Sequence, residues 1–208
     1  FQTVNNEDDF VFKKEVFYLT YVGGIGPVRG LEVGIDSVLA LSTSQYDVQI
    51  IIIGSGNPSY IECLKKRAGD KGISDKVHFL GRKPFEKIGY YIHNAGANII
   101  PHIKNAHTDH TIPHKLFQIM MSKSPLLVSN CKPFKRIIGD SDAGFVFEAG
   151  NVKSFVAQVR LMIENRPLVE ERIQKSFDLV KNDMNWDDEA IKLEELINEL
   201  KKDAARIN

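Results

Sequence analysis

The residues of this chain that could do chemistry gather in two short stretches, and both point to anion binding. The first is TIPHKLFQIMMSKSPLLVS, Thr111 to Ser129. Thr111 is placed to accept from the first free N–H groups of a helix, and Pro113 falls in the expected first turn, where a missing donor costs little. Leu116, Ile119 and Met120 recur at helical spacing, and after Ser124-Pro125 the run Leu126 to Val128 reads as a buried strand. The expected helix start, Thr111, Ile112, Pro113, His114 and Lys115, offers unpaired amides at the positive end of a dipole, with further donors on two side chains. A phosphate would be held there. The second stretch is Gly23-Gly24-Ile25-Gly26 with Arg29 behind it. Glycines let backbone approach a ligand closely, and a guanidinium could fork onto a diphosphate; a tight turn beside a solvated arginine is the plainer alternative.

Two more glycine turns follow apolar runs. Gly54-Ser55-Gly56 fits a packing turn better than a ligand contact, whereas Gly81-Arg82 would set backbone and a cation against a base or ribose. Between His102 and Thr111 the loop HIKNAHTDHT carries three histidines and one aspartate. A metal cage needs held geometry and supporting partners, so no metal is expected here, and His110 or Asp109 touching a polar ligand is the better account. Neither the His-Glu-x-x-His helix of zinc proteases nor a Gly-x-Ser-x-Gly elbow occurs, which removes the hydrolase readings.

The elements that must position these residues alternate along the chain. Strands are expected at 16–22, 48–53, 77–80, 97–100, 126–128 and 145–147, and helices at 29–43, 58–70, 84–94, 112–123 and 132–138. Strict alternation predicts an α/β fold, a doubly wound Rossmann-like parallel sheet of about six strands with right-handed crossovers. From Asn151 onward only helices are expected, at 151–165, 168–181 and 186–205, so extra C-terminal helices complete the domain. The last has Asn185 as its expected cap and an apolar stripe at Ala190, Leu193, Leu196, Ile197 and Leu200 that needs a partner surface. The domain is expected over 16–208, behind a linker or tail at 1–15.

Composition narrows the class further. Basic and acidic residues cancel at 27 each, so no global field favours nucleic acid, which is not an expected partner. Apolar residues make up 43% of the chain, enough for a core. No apolar run approaches the roughly 20 residues of a spanning helix, and the start FQTVNNEDDF lacks a signal-peptide pattern, so a soluble, cytoplasmic protein is expected. Cys63 and Cys131 lack metal-ligand spacing and are expected to be buried as small hydrophobes.

Taken in order, these segments resemble the C-terminal, nucleotide-sugar-binding domain of GT-B glycosyltransferases of family 4, the retaining group 1 enzymes. TVNNEDDF resembles the interdomain linker, YVGGIGPVRGLEVGIDSV the first strand, glycine turn and basic helix start, and VQIIIIGSGN with KVHFLGRKPFEKIGYYIHNAGANIIP the middle units. PHKLFQIMMSKSPLLVSNCKPFKRII and AGFVFEAGNVKSFVAQV resemble the donor-site helix, the following strand and the closing strand with its helix.

The resemblance implies two Rossmann-like domains facing across a cleft, with the donor, a UDP-sugar or GDP-sugar, held mainly by the C-terminal one. This chain would be the donor half, and the N-terminal acceptor domain of the same polypeptide its partner, which alone would make any peripheral contact with the inner face of a membrane. The isolated half would bind its donor without turning over. No cofactor is implied. In the family a basic pair follows the first strand; here Gly24 stands in the place of the usual arginine and Arg29 matches the usual lysine. Two family glutamates separated by seven residues correspond to His110 and Gln118. Gln118 offers one carbonyl acceptor and an amide donor where a carboxylate would accept two ribose hydroxyls. On this resemblance Arg29, Lys115 and His110 are expected to be catalytic, and the glycine turns, Arg82, the first-turn residues and Gln118 to bind the donor. The implied mechanism is metal-independent transfer with retention, with the leaving diphosphate stabilised electrostatically. The alternative is a degenerate Rossmann-like module that serves as a scaffold or binding surface.

Overall fold

The computed structural model describes residues 10–42, 46–184 and 186–207, the side chains at 187, 188 and 202–207 excepted. Six parallel strands, β1 (Phe17–Val22), β2 (Val48–Ile53), β3 (Val77–Gly81), β4 (Ala97–Ile100), β5 (Leu126–Ser129) and β6 (Phe145–Phe147), form one sheet in the order β3-β2-β1-β4-β5-β6. The helices are α1 (Leu31–Ser42), α2 (Pro58–Asp70), α3 (Phe85–His93), α4 (Lys115–Met121), α5 (Lys132–Phe134, running on as a π turn to Gly139), α6 (Val152–Glu164), α7 (Arg166–Asn182) and α8 (Trp186–Ile207).

Period-two alternation explains why both faces of the sheet are covered. Leu19, Tyr21, Ile50 and Ile52 point to one side, where they pack with α1, α2 and α6, while Tyr18, Ile51 and Ile53 point to the other, against Tyr91 of α3. Both sets are apolar, so the strands read as largely hydrophobic runs, interrupted at Thr20, Gln49, His78 and Asn98, as a doubly covered parallel sheet allows. The strand order reverses between β1 and β4. At such a switch point the loops leaving adjacent strands diverge to opposite faces and open a crevice at their carboxyl ends.

Several expected boundaries move. The helix anticipated from residue 29 begins at Leu31, because Pro27–Arg29 form a separate 3-10 turn that ends on Gly30 in the left-handed region, φ 64°. The helix anticipated over 112–123 contracts to Lys115–Met121. Thr111 does not cap it: the Thr111 hydroxyl donates to the carbonyl of His107, and Pro113 precedes the helix, accepting from Leu116 N–H. Cys131 is buried as expected, but Cys63 is exposed, since it lies on the solvent side of α2. Asn185, the expected cap of the last helix, lies outside the described residues, and Leu193, Leu196, Ile197 and Leu200 remain solvent-exposed on α8. Of the segment expected as a linker, residues 1–9 lie outside the described residues, while Phe10 and Phe12 stack edge-on against Tyr18.

Gly30 ties β4 to β1. A Cβ there would run into the carbonyl oxygen of Pro101, and next to it Ile103 N–H donates to Val28 carbonyl at 3.1 Å. Gly30→Ala is therefore expected to destabilise the domain by ~2 kcal/mol or more, because it adds left-handed strain to a backbone clash. Chemical denaturation reads this directly, and an unchanged midpoint would show that the two loops part freely.

Candidate functional site

Three strand exits meet at the carboxyl edge of the sheet. Gly23 N–H donates to Ile53 carbonyl and Gly54 N–H to Gly81 carbonyl, both at 2.9 Å, so the turns after β1, β2 and β3 form a laddered shelf. Side chains would break that shelf: a Cβ on Gly54 would strike Gly23 carbonyl, and one on Gly56 would strike Ile25 carbonyl. Gly54 is thus explained by packing.

At the switch point the shelf meets two cations. Lys115, the first residue of α4, runs back over the ring of Tyr21, with Nζ 3.9 Å from the ring centroid. Its stem is half-buried, but solvent does not reach Nζ, which has no hydrogen-bond partner among the described residues. Gly23 makes room for it, since a Cβ at that position would lie 2.8 Å from Nζ. Tyr21 is fully buried and its hydroxyl donates to Gly24 carbonyl at 2.6 Å; burial pushes its pKa up to about 12, so the proton stays on. Arg29, in the 3-10 turn after the glycines, places Nη1 3.1 Å from Nε2 of His102, the second residue beyond β4. A guanidinium only donates, so Nε2 is the acceptor and the imidazole is neutral.

The electrostatics are those of an incomplete ion pair. Burial first, and then the Arg29 charge, pull Lys115 down to about 7, and burial with the Lys115 and Arg29 charges drives His102 down to about 3. Elsewhere cations find partners: Arg67 forks onto Asp36 and Lys76 reaches Asp47. Among the described residues no carboxylate pairs with Arg29 or Lys115. Two cations, one of them desolvated, with only a π face and a neutral imidazole to hold them, make a site that an anion would complete.

The other expected site residues separate from this centre. Gly24 lines it through the Tyr21 hydrogen bond, and a Cβ on Gly24 would meet nothing within 4 Å, so this place is open. Gly81 ends β3 and the exposed Arg82 follows it, two strands away at the sheet edge. His114 stands exposed at the α4 cap position and makes no side-chain capping bond. His110 turns its Nδ1 onto Ala106 carbonyl at 2.7 Å and lies with Ile112, Lys132 and Arg136 beside α5. Asp109, expected as a ligand contact, caps α5 instead, accepting from Lys132 N–H at 3.0 Å. Gln118 is exposed on α4, where it lines an apolar groove of about 250 Å³ with Phe85, Ile88 and Phe117. With only seven residues in α4, the helix dipole is a minor contributor and the Lys115 side chain the major one. Among the described residues no three of His, Cys, Asp and Glu sit close enough to hold a metal ion.

Sequence inspection missed Tyr21 and His102. Tyr21 reads as an ordinary core position of an apolar strand, and nothing local marks it. His102 had a usable signal, since it directly follows the strand exit at Ile100-Pro101, where ligand contacts concentrate in parallel sheets.

Fold and site together define a Rossmann-like domain with a two-cation mouth, unpaired by any carboxylate among the described residues, at the switch point of its sheet. Residues 4–178 match the model of the glycosyl transferases group 1, and the chain belongs to that family. It is 23% identical over 155 residues to a phosphatidyl-myo-inositol mannosyltransferase of Mycobacterium leprae, covering 74% of this chain and 39% of that protein. Its fold is that of GT-B glycosyltransferases. Sucrose-phosphate synthase of Thermosynechococcus elongatus superposes with a TM-score of 0.77 at 14% identity, over 89% of this chain and 46% of that one. HepE of Anabaena, crystallised in complex with UDP, superposes with a TM-score of 0.74 at 12% identity, over 91% of this chain and 49% of that one. The chain spans about two fifths of the length of the curated relatives it matches, 39% and 42%. Among the described residues no helix is long and apolar enough to cross a membrane.

Proposed function

We propose that this chain is the donor-binding half of a retaining, metal-independent glycosyltransferase of hexosyltransferase type. It takes a UDP-sugar or GDP-sugar and works in the synthesis of a cell-surface polysaccharide or glycoconjugate. The observation that carries this reading is the Lys115 ammonium, closed off from solvent, without a hydrogen-bond partner and beside a second cation, Arg29. Leaving so costly a group unpaired makes sense where a dianionic diphosphate arrives to complete it. The position at the β1/β4 switch point supports the same reading, as does a structural neighbour crystallised in complex with UDP.

On this reading the bond between the anomeric carbon and the diphosphate oxygen breaks, and its electron pair ends on the diphosphate. Lys115 and Arg29 lie where that charge develops. Both are held before the donor arrives, Lys115 by Tyr21 and Gly23 and Arg29 by His102, so little reorganisation accompanies the reaction. The acceptor is held by an N-terminal domain of the same polypeptide, and the isolated donor half binds without turning over. Calorimetric titration of this chain with UDP and with GDP tests the proposal. One of the two is expected to saturate a single site. If neither produces binding heat, the chain is better described as a scaffold module of the family.

A further inference from the structure

Arg29 faces two demands that ordinarily conflict. A flexible guanidinium needs an acceptor to fix its orientation, and the usual one is a carboxylate, as where Asp36 holds Arg67. A carboxylate beside Arg29 would also cancel its charge and occupy the donors meant for an incoming anion. In place of one stands an imidazole. His102 is 2% exposed, its ring lies 5.5 Å from that of Phe134, and its Nε2 is 3.1 Å from Arg29 Nη1. The segment around it is fixed as well: Ile103 N–H is tied to Val28 carbonyl, and Cys131 Sγ lies 3.7 Å from His102 carbonyl.

We infer that His102 is a positioning residue, a neutral acceptor that aims the Arg29 guanidinium at the donor's diphosphate while leaving its positive charge unspent. This rests on the donor-binding reading above. It goes further in naming a residue that the family's basic pair and glutamates do not include, and in specifying that its neutrality is what matters. The three groups nearest the mouth, Arg29, Lys115 and His102, then divide the work: two supply charge and the third supplies direction without offsetting it. Burial, reinforced by the Lys115 and Arg29 charges, keeps the imidazole unprotonated, so the acceptor lone pair remains available throughout the neutral range.

The test is a set of substitutions at one position, each variant titrated with UDP and with GDP by calorimetry and melted thermally. In His102→Gln the amide oxygen falls close to the place of Nε2, so a neutral acceptor is restored. In His102→Ala the acceptor is lost, and in His102→Glu it is replaced by a charged one. Nucleotide affinity is expected to fall about 3- to 10-fold in the alanine variant, as for loss of one hydrogen bond of ordinary net strength, felt by the ligand only through Arg29. It should fall ~30-fold or more in the glutamate variant, whose carboxylate competes with the diphosphate for Arg29, and recover to within about 3-fold of the parent in the glutamine variant. The glutamate variant, with its new ion pair, should melt no lower than the alanine variant. Weakest binding without lowest stability is the result a merely structural role would not produce. If affinity instead follows melting temperature across the set, or if the alanine and glutamate variants bind like the parent, the inference is overturned. Arg29→Ala serves as the reference for the underlying reading: if it binds nucleotide as tightly as the parent, or the parent binds neither nucleotide, the donor-site reading fails and takes the role of His102 with it. Loss of binding in Arg29→Ala with parent-like His102 variants rejects the role of His102 alone.

Discussion

Replacing Lys115 with methionine should weaken nucleotide binding by ~30-fold or more and at the same time make the domain more stable at pH 6. The two effects share one cause. Lys115 carries a solvent-inaccessible ammonium without a hydrogen-bond partner, and its pKa is lowered from 10.5 to about 7 by burial and by Arg29. In the unfolded chain the same lysine titrates near its ordinary value. Between these two values the unfolded state binds the extra proton, so stability rises as pH rises from about 7 to about 10.5. The destabilisation is fully present below pH 7 and is relieved only above the unfolded value. Methionine keeps the stem and its contact with Tyr21 but carries no charge to desolvate. Since one pKa unit corresponds to ~1.4 kcal/mol, a gain of at least about 2 kcal/mol at pH 6 is expected, shrinking towards zero by about pH 10. Denaturant melts at the two pH values and a UDP or GDP titration check both halves. A methionine variant that is less stable at pH 6 and binds as well as the parent would mean that the ammonium is satisfied within the fold.

On the proposed reading, Arg29→Ala in the complete transferase, donor half and acceptor half together, is expected to lower turnover at least ~10-fold, the equivalent of about 1.4 kcal/mol or more of transition-state stabilisation. Arg29 differs from Lys115 in that its charge is permanent, its guanidinium can take two oxygens at once, and its direction is fixed by His102. Its loss should therefore appear mainly in kcat, as the diphosphate gains charge on departure, and less in the donor KM. Conversely, a variant with unchanged kcat and a raised KM would place Arg29 in ground-state binding alone. Steady-state kinetics with varied donor separates the two.

How much of this was legible in the chain depends on the range of the interaction concerned. The strands were placed within a residue because their signal is local: Val48 to Ile53 and Leu126 to Val128 are apolar runs of strand length between turn residues, and burial on both faces leaves little else for them to be. Helix starts were less secure. Thr111 has every local attribute of a cap, yet its hydroxyl goes to His107 carbonyl because the loop from Asn105 to His110 coils on itself and presents that acceptor first. Likewise, the helix expected from Arg29 breaks at Gly30 because the carbonyl of Pro101, 71 residues on in the chain, occupies the space a side chain would need. His110 corresponds to a family glutamate in the resemblance, yet its ring is bound back to Ala106.

The chain alone determined the doubly wound sheet, the glycine turns at the carboxyl ends of its strands, and Arg29 and Lys115 as cations beyond strand exits, because each follows from residue types at short spacing. Tertiary structure alone decided that Lys115 reaches across to Tyr21 and Gly23, that its ammonium goes unpartnered, and that Arg29 meets His102, 73 positions away. Those contacts arise where β1 and β4, far apart in sequence, lie side by side at the reversal of strand order. Desolvation and charge–charge coupling depend on distance through space, and no local pattern of residues encodes that distance.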